Sequence, residues 1–112
     1  MNAHMKGLAM NTVKRRMSEE ERLLEMSHLF KMMGDVTRLR ILMALHESSL
    51  CVTHICERVD MSQSAVSHQL ALLRRANLVR VTRTGKNVVY SLCDEHVRLM
   101  LDMVDLHVGE AH

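Results

Sequence analysis

The chain has 112 residues, of which 47% are hydrophobic and 25% charged, and its formal net charge is only +2. This size fits one domain with a single modest core, and the lack of proline together with only one Tyr and one Phe indicates a mostly helical fold. No apolar stretch reaches the length of a membrane span and the first residues do not form a secretory signal, so we expect a cytoplasmic protein without a membrane partner.

Capping signals divide the first three quarters of the sequence into helices. Residues 1–17 have no apolar periodicity and are predicted to be a flexible basic arm, which leaves 18–112 as the folded domain. Ser18 before three glutamates, Asp35 and Ser62 are typical N-caps. The predicted helices run from Ser18 to Gly34, from Asp35 to near Ser48, from Thr53 to about Val59, and from Ser62 to about Arg75.

The hydrophobic period changes from helical to two after Asn77. Two alternating segments flank the turn at Thr84–Asn87, which predicts a two-stranded hairpin that ends at Leu92. Asp94 then caps a final helix to about Val108. Its apolar row consists of Val97, Leu101, Val104 and Val108.

Charge is segregated along the chain. Residues 18–60 carry five basic and eight acidic residues, and the last nineteen carry one basic and five acidic residues. Between them, Met61–Cys93 contains five basic residues and no acid: Arg74, Arg75, Arg80, Arg83 and Lys86. A basic block of this kind is typical of a polyanion-binding surface, although a solvated face is the simpler alternative.

Two short helices followed by a basic hairpin are the element order of a winged helix-turn-helix. The second of these helices enters the major groove of double-stranded DNA and the hairpin contacts the flanking backbone. We call this second helix the recognition helix. Its exposed residues are predicted to be Ser62, Gln63, Ser64, Ser67, His68 and Gln69, whose side chains can hydrogen-bond to base edges and phosphates. Phosphate contacts are expected from Arg83 and Lys86, and also from Arg74 and Arg75. The alternative is a purely structural role, in which the serines only cap the helix and His68 is half buried.

The last helix carries four potential metal ligands: Asp94, His96, His107 and Glu110. His96 and His107 share a face but lie roughly 16 Å apart along the axis, so one straight helix cannot bring both ends to one ion. Two antiparallel copies can, because Asp94 and His96 of one chain then face His107 and Glu110 of the other. The spacing predicts a metal-linked homodimer with two equivalent sites.

Several segments resemble the ArsR/SmtB family of winged-helix metal-sensor repressors. The resemblance covers about residues 18–110 and lies in Gly34–Leu42, Leu50–Val52, Ser64–Leu70 and Gly85–Leu92. It implies a mainly α fold in which N- and C-terminal helices dimerise. It also implies a repressor that binds operator DNA and releases it when metal binds.

The pattern Asp-x-His, ten residues, His-x-x-Glu is similar to the zinc-sensing site of this family. Two imidazoles and two carboxylates suit tetrahedral zinc, cobalt fits the same geometry, and nickel would want additional ligands. The resemblance also implies that His107 relays binding to a backbone carbonyl around Asn77 at the end of the recognition helix. Ordinary helix-surface residues are the alternative for all four ligands.

Other family members place cysteines at the start of the third helix. Here Cys51 and His54 are three residues apart, and a donor from the arm such as His4 can complete a second site for a softer metal such as cadmium. The second thiolate is absent, since Cys56 lies about 140° around the helix from Cys51 and is expected to pack in the core. Cys93 is expected to act as a small hydrophobe, and His28 and His46 as surface or packed residues.

Three other functional classes compete with a metal sensor. An enzyme is disfavoured because no Gly-rich phosphate loop or nucleophile elbow occurs and a saturated metal shell leaves no position for substrate. A metal-storage protein would explain the ligands but not the recognition helix or the basic hairpin. The serious alternative is a redox or persulfide sensor of the same fold that uses Cys51 or Cys56. The chain has three cysteines, and this odd number favours free thiols.

Overall fold

A computed structural model describes residues 16–111, so most of the predicted arm, including His4, lies outside the described residues. Five helices and one hairpin follow in order: α1 Glu19–Met33, α2 Val36–Glu47, α3 Val52–Val59, α4 Gln63–Arg75, β1 Val79–Thr84, β2 Asn87–Leu92 and α5 Glu95–Ala111. The predicted winged helix-turn-helix is confirmed. Two helix bounds were wrong: α3 begins at Val52, and α5 continues three residues beyond Val108.

The predicted caps set the helix starts. The Ser18 hydroxyl accepts from the Glu21 amide at 3.1 Å, and the Glu21 carboxylate accepts from the Ser18 amide at 2.8 Å, which is a complete capping box. Asp35 Oδ2 accepts from the Arg38 amide at 3.0 Å, and Ser62 Oγ from the Ala65 amide at 3.2 Å. Each contact satisfies an amide that the helix itself leaves without a partner.

Two residues in the left-handed region set the ends of α3 and α4. Asp60 has a φ of 54° between the two helices, and Asn77 has a φ of 60° after the recognition helix. At Asn77 the chain forms a Schellman motif, in which the Leu78 amide donates to the Leu73 carbonyl at 2.9 Å. Aspartate and asparagine tolerate this conformation better than most residues, so the chain turns sharply from α4 into the hairpin.

One core joins α2, α3, α4, the base of the hairpin and the start of α5. Its fully buried side chains are Ile41, Leu42, Leu45, Ile55, Val66, Leu70, Leu73 and Leu78. The hairpin pairs Val79 with Leu92 and is fixed to the α2–α3 link by Leu50, whose amide donates to the Tyr90 carbonyl at 3.0 Å. The recognition helix and the wing are therefore parts of one packed body. No helix among residues 16–111 has both the length and the hydropathy needed to cross a bilayer.

The apolar stripe of α1 and the last two turns of α5 are not covered by this core. In α1, Met32 and Met33 are buried, whereas Leu23, Leu24, Met26 and Phe30 are 46–62% exposed. In α5, Val97 and Leu101 are buried, but Val104 is 57% exposed. Val36 of α2 is also exposed. The predicted apolar rows of α1 and α5 are therefore only partly covered by their own chain, because periodicity identifies an apolar face but not what covers it.

Candidate nucleic-acid interface and metal site

The recognition helix α4 has one buried and one exposed face. Val66, Leu70 and Leu73 follow the spacing of a helical stripe and are 0–1% exposed. The opposite face presents short polar side chains, all of them exposed: Ser62, Gln63, Ser64, Ser67 and His68. Buried leucines on one side therefore fix which polar groups are available to a groove.

The prediction that Gln69 is exposed was wrong. It is half-buried, and its Oε1 accepts a hydrogen bond from Arg38 Nη1 at 3.3 Å. The partner lies 31 residues earlier on α2. Gln69 is therefore directed toward the protein rather than toward the surface that would meet a base edge.

The cations of the acid-free segment surround this face. Arg83 and Lys86 are exposed on the hairpin, Arg80 at its base, and Arg74 and Arg75 at the end of α4. Within residues 16–111 none of the five forms an ion pair with a carboxylate. Their charge is therefore available to phosphates.

Gly85 shapes the tip of the hairpin. It has a φ of +64° in the two-residue loop between Thr84 and Asn87. Residues with a Cβ rarely adopt this conformation, so a glycine is favoured where the two strands of the wing connect. The loop holds Lys86 at the end of the wing.

The four predicted ligands of α5 lie at its two ends. Asp94 and His96 are 53% and 88% exposed at their side chains, with Oδ1 and Nδ1 3.7 Å apart. Asp94 Oδ1 also accepts from the Val97 amide at 3.2 Å, which confirms the predicted cap. His107 and Glu110 are exposed near the other end. Within the described part of one chain, no three potential ligands come together around one point.

The cysteine region contains only part of a second site. Cys51 is half-buried at the start of α3 and forms no capping hydrogen bond with its side chain, while His54 is exposed in the first turn. Cys56 and Cys93 are partly buried against the core. All three thiols are free.

Two hydrogen bonds that the sequence did not reveal join α5 to α2. His46 Nε2 lies 2.6 Å from Asp102 Oδ1, and Arg98 Nη1 donates to the His46 carbonyl at 2.5 Å. These partners are 56 and 52 residues apart, so no local pattern connects them. His46, expected to be a surface or packed histidine, is half-buried on α2 and contacts the middle of α5.

Comparison with known proteins identifies the chain's relatives. Residues 35–81 match the family of arsR bacterial regulatory proteins. A transcriptional repressor SmtB homolog from Synechocystis sp. is 41% identical over 87 residues, which are 78% of this chain and 66%, just under two thirds, of that protein. A cadmium resistance transcriptional regulatory protein CadC homolog from Staphylococcus aureus is 34% identical over 78% of this chain and 73% of its own length.

Solved structures with a similar fold are also bacterial proteins. The structure of reduced HlyU from Vibrio cholerae superposes with a TM-score of 0.69 at 34% identity, covering 76% of this chain and 90% of that one. The chain belongs to the arsR family of bacterial regulatory proteins, which are transcriptional regulators and not enzymes.

Proposed function

We propose that the chain is a homodimeric repressor that binds double-stranded operator DNA and releases it when a divalent metal ion, zinc first, bridges the C-terminal helices of two copies. One observation carries this proposal: the half of α5 that bears His107 and Glu110 also exposes an apolar row that its own chain leaves uncovered. The names of the relatives agree, since one is a repressor and another regulates cadmium resistance.

The exposed face of α4 supports DNA binding. Gln63, Ser64 and His68 can donate to and accept from base edges, and Ser62 and Ser67 can contact phosphates. The unpaired cations at the wing and at the end of α4 lie where a groove-bound helix would meet the backbone. We therefore assign recognition of the DNA base sequence to α4. Most of the affinity for DNA is assigned to the cations Arg74, Arg75, Arg83 and Lys86.

The uncovered apolar faces support dimerisation. Phe30, Met33, Leu39, Leu99, Met103 and Val104 line a groove of about 460 Å³ between α1, α2 and α5. Exposed leucines and methionines continue on both sides of it, including Leu23, Leu24, Met26 and Leu106. A second copy is the occupant that covers α1 and α5 together, since an isologous contact buries the same faces on both chains.

The separation of the ligand pairs supports metal binding between copies. In an antiparallel pair of α5 helices, Asp94 and His96 of one copy meet His107 and Glu110 of the other. Asp94 Oδ1 is held by the Val97 amide, which leaves Oδ2 to face an ion. A bound zinc ion would supply a fixed tetrahedral linkage between the helices, with no open position for a substrate. Cobalt suits the same donors, whereas nickel requires more of them.

The link from metal to DNA is a change in the dimer. Because α4 is packed into the same body as the start of α5, fixing the two α5 helices in one orientation also fixes the spacing of the two recognition helices. If that spacing does not match successive grooves, metal and DNA weaken each other by the same factor. The ring N–H of His107 opposite the ion is suited to donate to a carbonyl near Asn77, the left-handed residue that ends α4.

Fluorescence anisotropy tests the proposal. A 30-base-pair duplex is selected from a random pool by the wild-type protein, and its binding is titrated with and without zinc under reducing conditions. We expect zinc to weaken binding by about 10-fold or more in the wild type. His96→Ala should lose this response and keep its metal-free affinity, and His28→Ala, another exposed histidine, should respond like wild type.

The alternative regulator of the same fold uses thiols or a softer metal. Cys51 supports it, because its half-buried side chain makes no capping bond and lies beside His54 at the start of α3. The same titration repeated with Cys51→Ser, with cadmium and after oxidation separates the two. Loss of the response in Cys51→Ser but not in His96→Ala would transfer the sensing role from α5 to this region.

A further inference from the structure

Arg38 makes contacts to three separate segments of the chain. Its amide donates to Asp35 Oδ2 at 3.0 Å, its Nε donates to the Met32 carbonyl at 2.7 Å, and its Nη1 donates to Gln69 Oε1 at 3.3 Å. The side chain is half-buried. One residue of α2 therefore contacts both the end of α1 and the middle of the recognition helix.

The position of Arg38 is locally unfavourable for a cation. It is the third residue of α2, within the first turn, where the amides carry partial positive charge and acids are preferred. The compensation is non-local: Met32 lies in the last turn of α1, whose carbonyls have no helical partner and carry partial negative charge. The guanidinium thus neutralises the end of one helix at some cost to the start of the next.

The junction between α1 and α2 leaves this contact little freedom. A Cβ at Gly34 would lie 3.1 Å from the Phe30 carbonyl, so the chain passes close to the last turn of α1. The Met32 carbonyl and Arg38 are consequently held on the two sides of a short, tight link. A displacement of α1 relative to α2 would change the position of the guanidinium.

Gln69 transmits that position to the DNA-reading face. Neighbouring residues on a helix are about 100° apart, so the contact of Gln69 with Arg38 adds to the buried face of α4 in holding its rotation, and with it the directions of Ser64, Ser67 and His68. A hydrogen bond from a charged donor is stronger than one between neutral groups. The contact therefore limits the small rotations of α4 that its buried face still allows.

We propose that Arg38 is a positioning residue that sets the rotation of the recognition helix relative to α1, the helix assigned above to the dimer contact. The proposal rests on the proposed function, because it makes Arg38 a determinant of operator recognition that touches no DNA. Its consequence is selective: loss of the guanidinium lowers affinity for the selected duplex more than affinity for a scrambled one. Zinc affinity is unchanged, since Arg38 lies outside the ligand-bearing helix.

The experiment compares Arg38→Met with Arg40→Met. Both remove one positive charge from α2, but the Arg40 side chain is exposed and makes no hydrogen bond or ion pair within residues 16–111. We expect Arg38→Met to weaken binding of the selected 30-base-pair duplex by about 10-fold and Arg40→Met by less than twofold. Binding of a scrambled duplex should change equally in the two variants.

Two further readouts separate positioning from simple damage. Gln69→Met removes only the hydrogen-bond acceptor. In the double variant with Arg38→Met, the two losses of affinity for the selected duplex should not add, because the two residues form one contact. Hydrogen exchange of the DNA-free protein should be faster over residues 63–75 in Arg38→Met than in Arg40→Met. Arg38→Lys should restore binding only in part, because an ammonium lacks the planar fork that reaches both acceptors.

Equal duplex affinity and equal exchange in Arg38→Met and Arg40→Met would overturn the proposal. If Arg38→Met does not fold, Gln69→Met decides: retained discrimination between selected and scrambled duplexes would also overturn it. If the wild type selects no DNA, the proposed function fails, and the exchange comparison alone still decides whether Arg38 holds α4.

Discussion

The recognition helix and the C-terminal helix expose opposite kinds of surface. α4 buries Val66, Leu70 and Leu73 and exposes serines, glutamine and histidine. The second half of α5 exposes Met103, Val104 and Leu106 together with two of the predicted metal ligands, His107 and Glu110. The first surface is complete in one chain and offers polar groups to an external partner. The second exposes apolar area that its own chain leaves uncovered, and the other two predicted ligands lie at the opposite end of α5.

This difference shows where each half of the proposed function depends on a second copy. A single chain holds the recognition helix, the wing and five cations that form no ion pair within residues 16–111 in one packed body. The proposed sensing half has two predicted ligands at each end of α5, and within the described residues of one chain no three potential ligands come together. Contacts between copies should therefore affect sensing directly, and DNA binding only through the spacing of two recognition helices.

The largest effect is expected from a charge in the uncovered face. Val104→Glu places a carboxylate on each copy where the proposal buries apolar surface, and an unpaired buried charge costs about 3 kcal/mol or more. Dimer affinity should fall by about 100-fold or more in sedimentation equilibrium, and binding of the selected duplex should fall with it. Thr53→Glu, at an exposed position of α3 outside the proposed interface, should leave dimer affinity unchanged. A dimer that tolerates Val104→Glu would remove α5 from the interface.

A smaller, position-specific effect is expected on α4. Gln63→Ala removes a side chain suited to a base edge and should reduce discrimination at one base pair by about 1 to 3 kcal/mol. Selection from a random pool with the variant measures it, as relaxed preference at one position of each half-site. An unchanged selected sequence would move base reading away from the start of α4.

Loss of a cation from the wing should weaken binding equally for all DNA sequences. Arg83→Ala removes one exposed cation from each of the two copies, so the slope of log Kd against log salt concentration should fall by about 1.8 for the dimer, which is about 0.9 for each lost phosphate contact. Affinity for selected and scrambled duplexes should fall by the same factor. Arg40→Ala is the control for charge alone. If Arg83→Ala leaves both affinity and slope untouched, the wing does not contact the backbone.

The smallest effect is expected at the start of α1. Ser18→Ala breaks the capping box with Glu21 and should lower the free energy of unfolding by about 1 kcal/mol. Because α1 contributes to the proposed interface, thermal unfolding should show a greater loss at low protein concentration than at high concentration. Asn87→Ala, at an exposed end of the wing, should show no such dependence on concentration.

Sequence signals identified those features that depend on neighbouring residues. Ser18, Asp35, Ser62 and Asp94 cap helices as predicted, and the change of period after Asn77 located the hairpin, because caps and turns involve only a few consecutive residues. Gln69 was misjudged and the partner of His46 was not foreseen, since the partners of these two residues lie 31 and 56 residues away. The apolar stripe of α1 was identified, but its period alone does not say what covers it, because a hydrophobic period is the same whether its own core or a second copy covers it.

The most direct test of the bridged dimer uses two complementary variants. One chain carries Asp94→Ala with His96→Ala, the other carries His107→Ala with Glu110→Ala, and mixed dimers are purified with two affinity tags. Each variant alone should bind no zinc tightly at α5. A mixed dimer should bind one ion, because one bridge then retains all four ligands, and zinc should lower its affinity for the selected duplex. Mixed dimers that bind no zinc, or either variant alone binding as wild type does, would contradict a site shared between two copies.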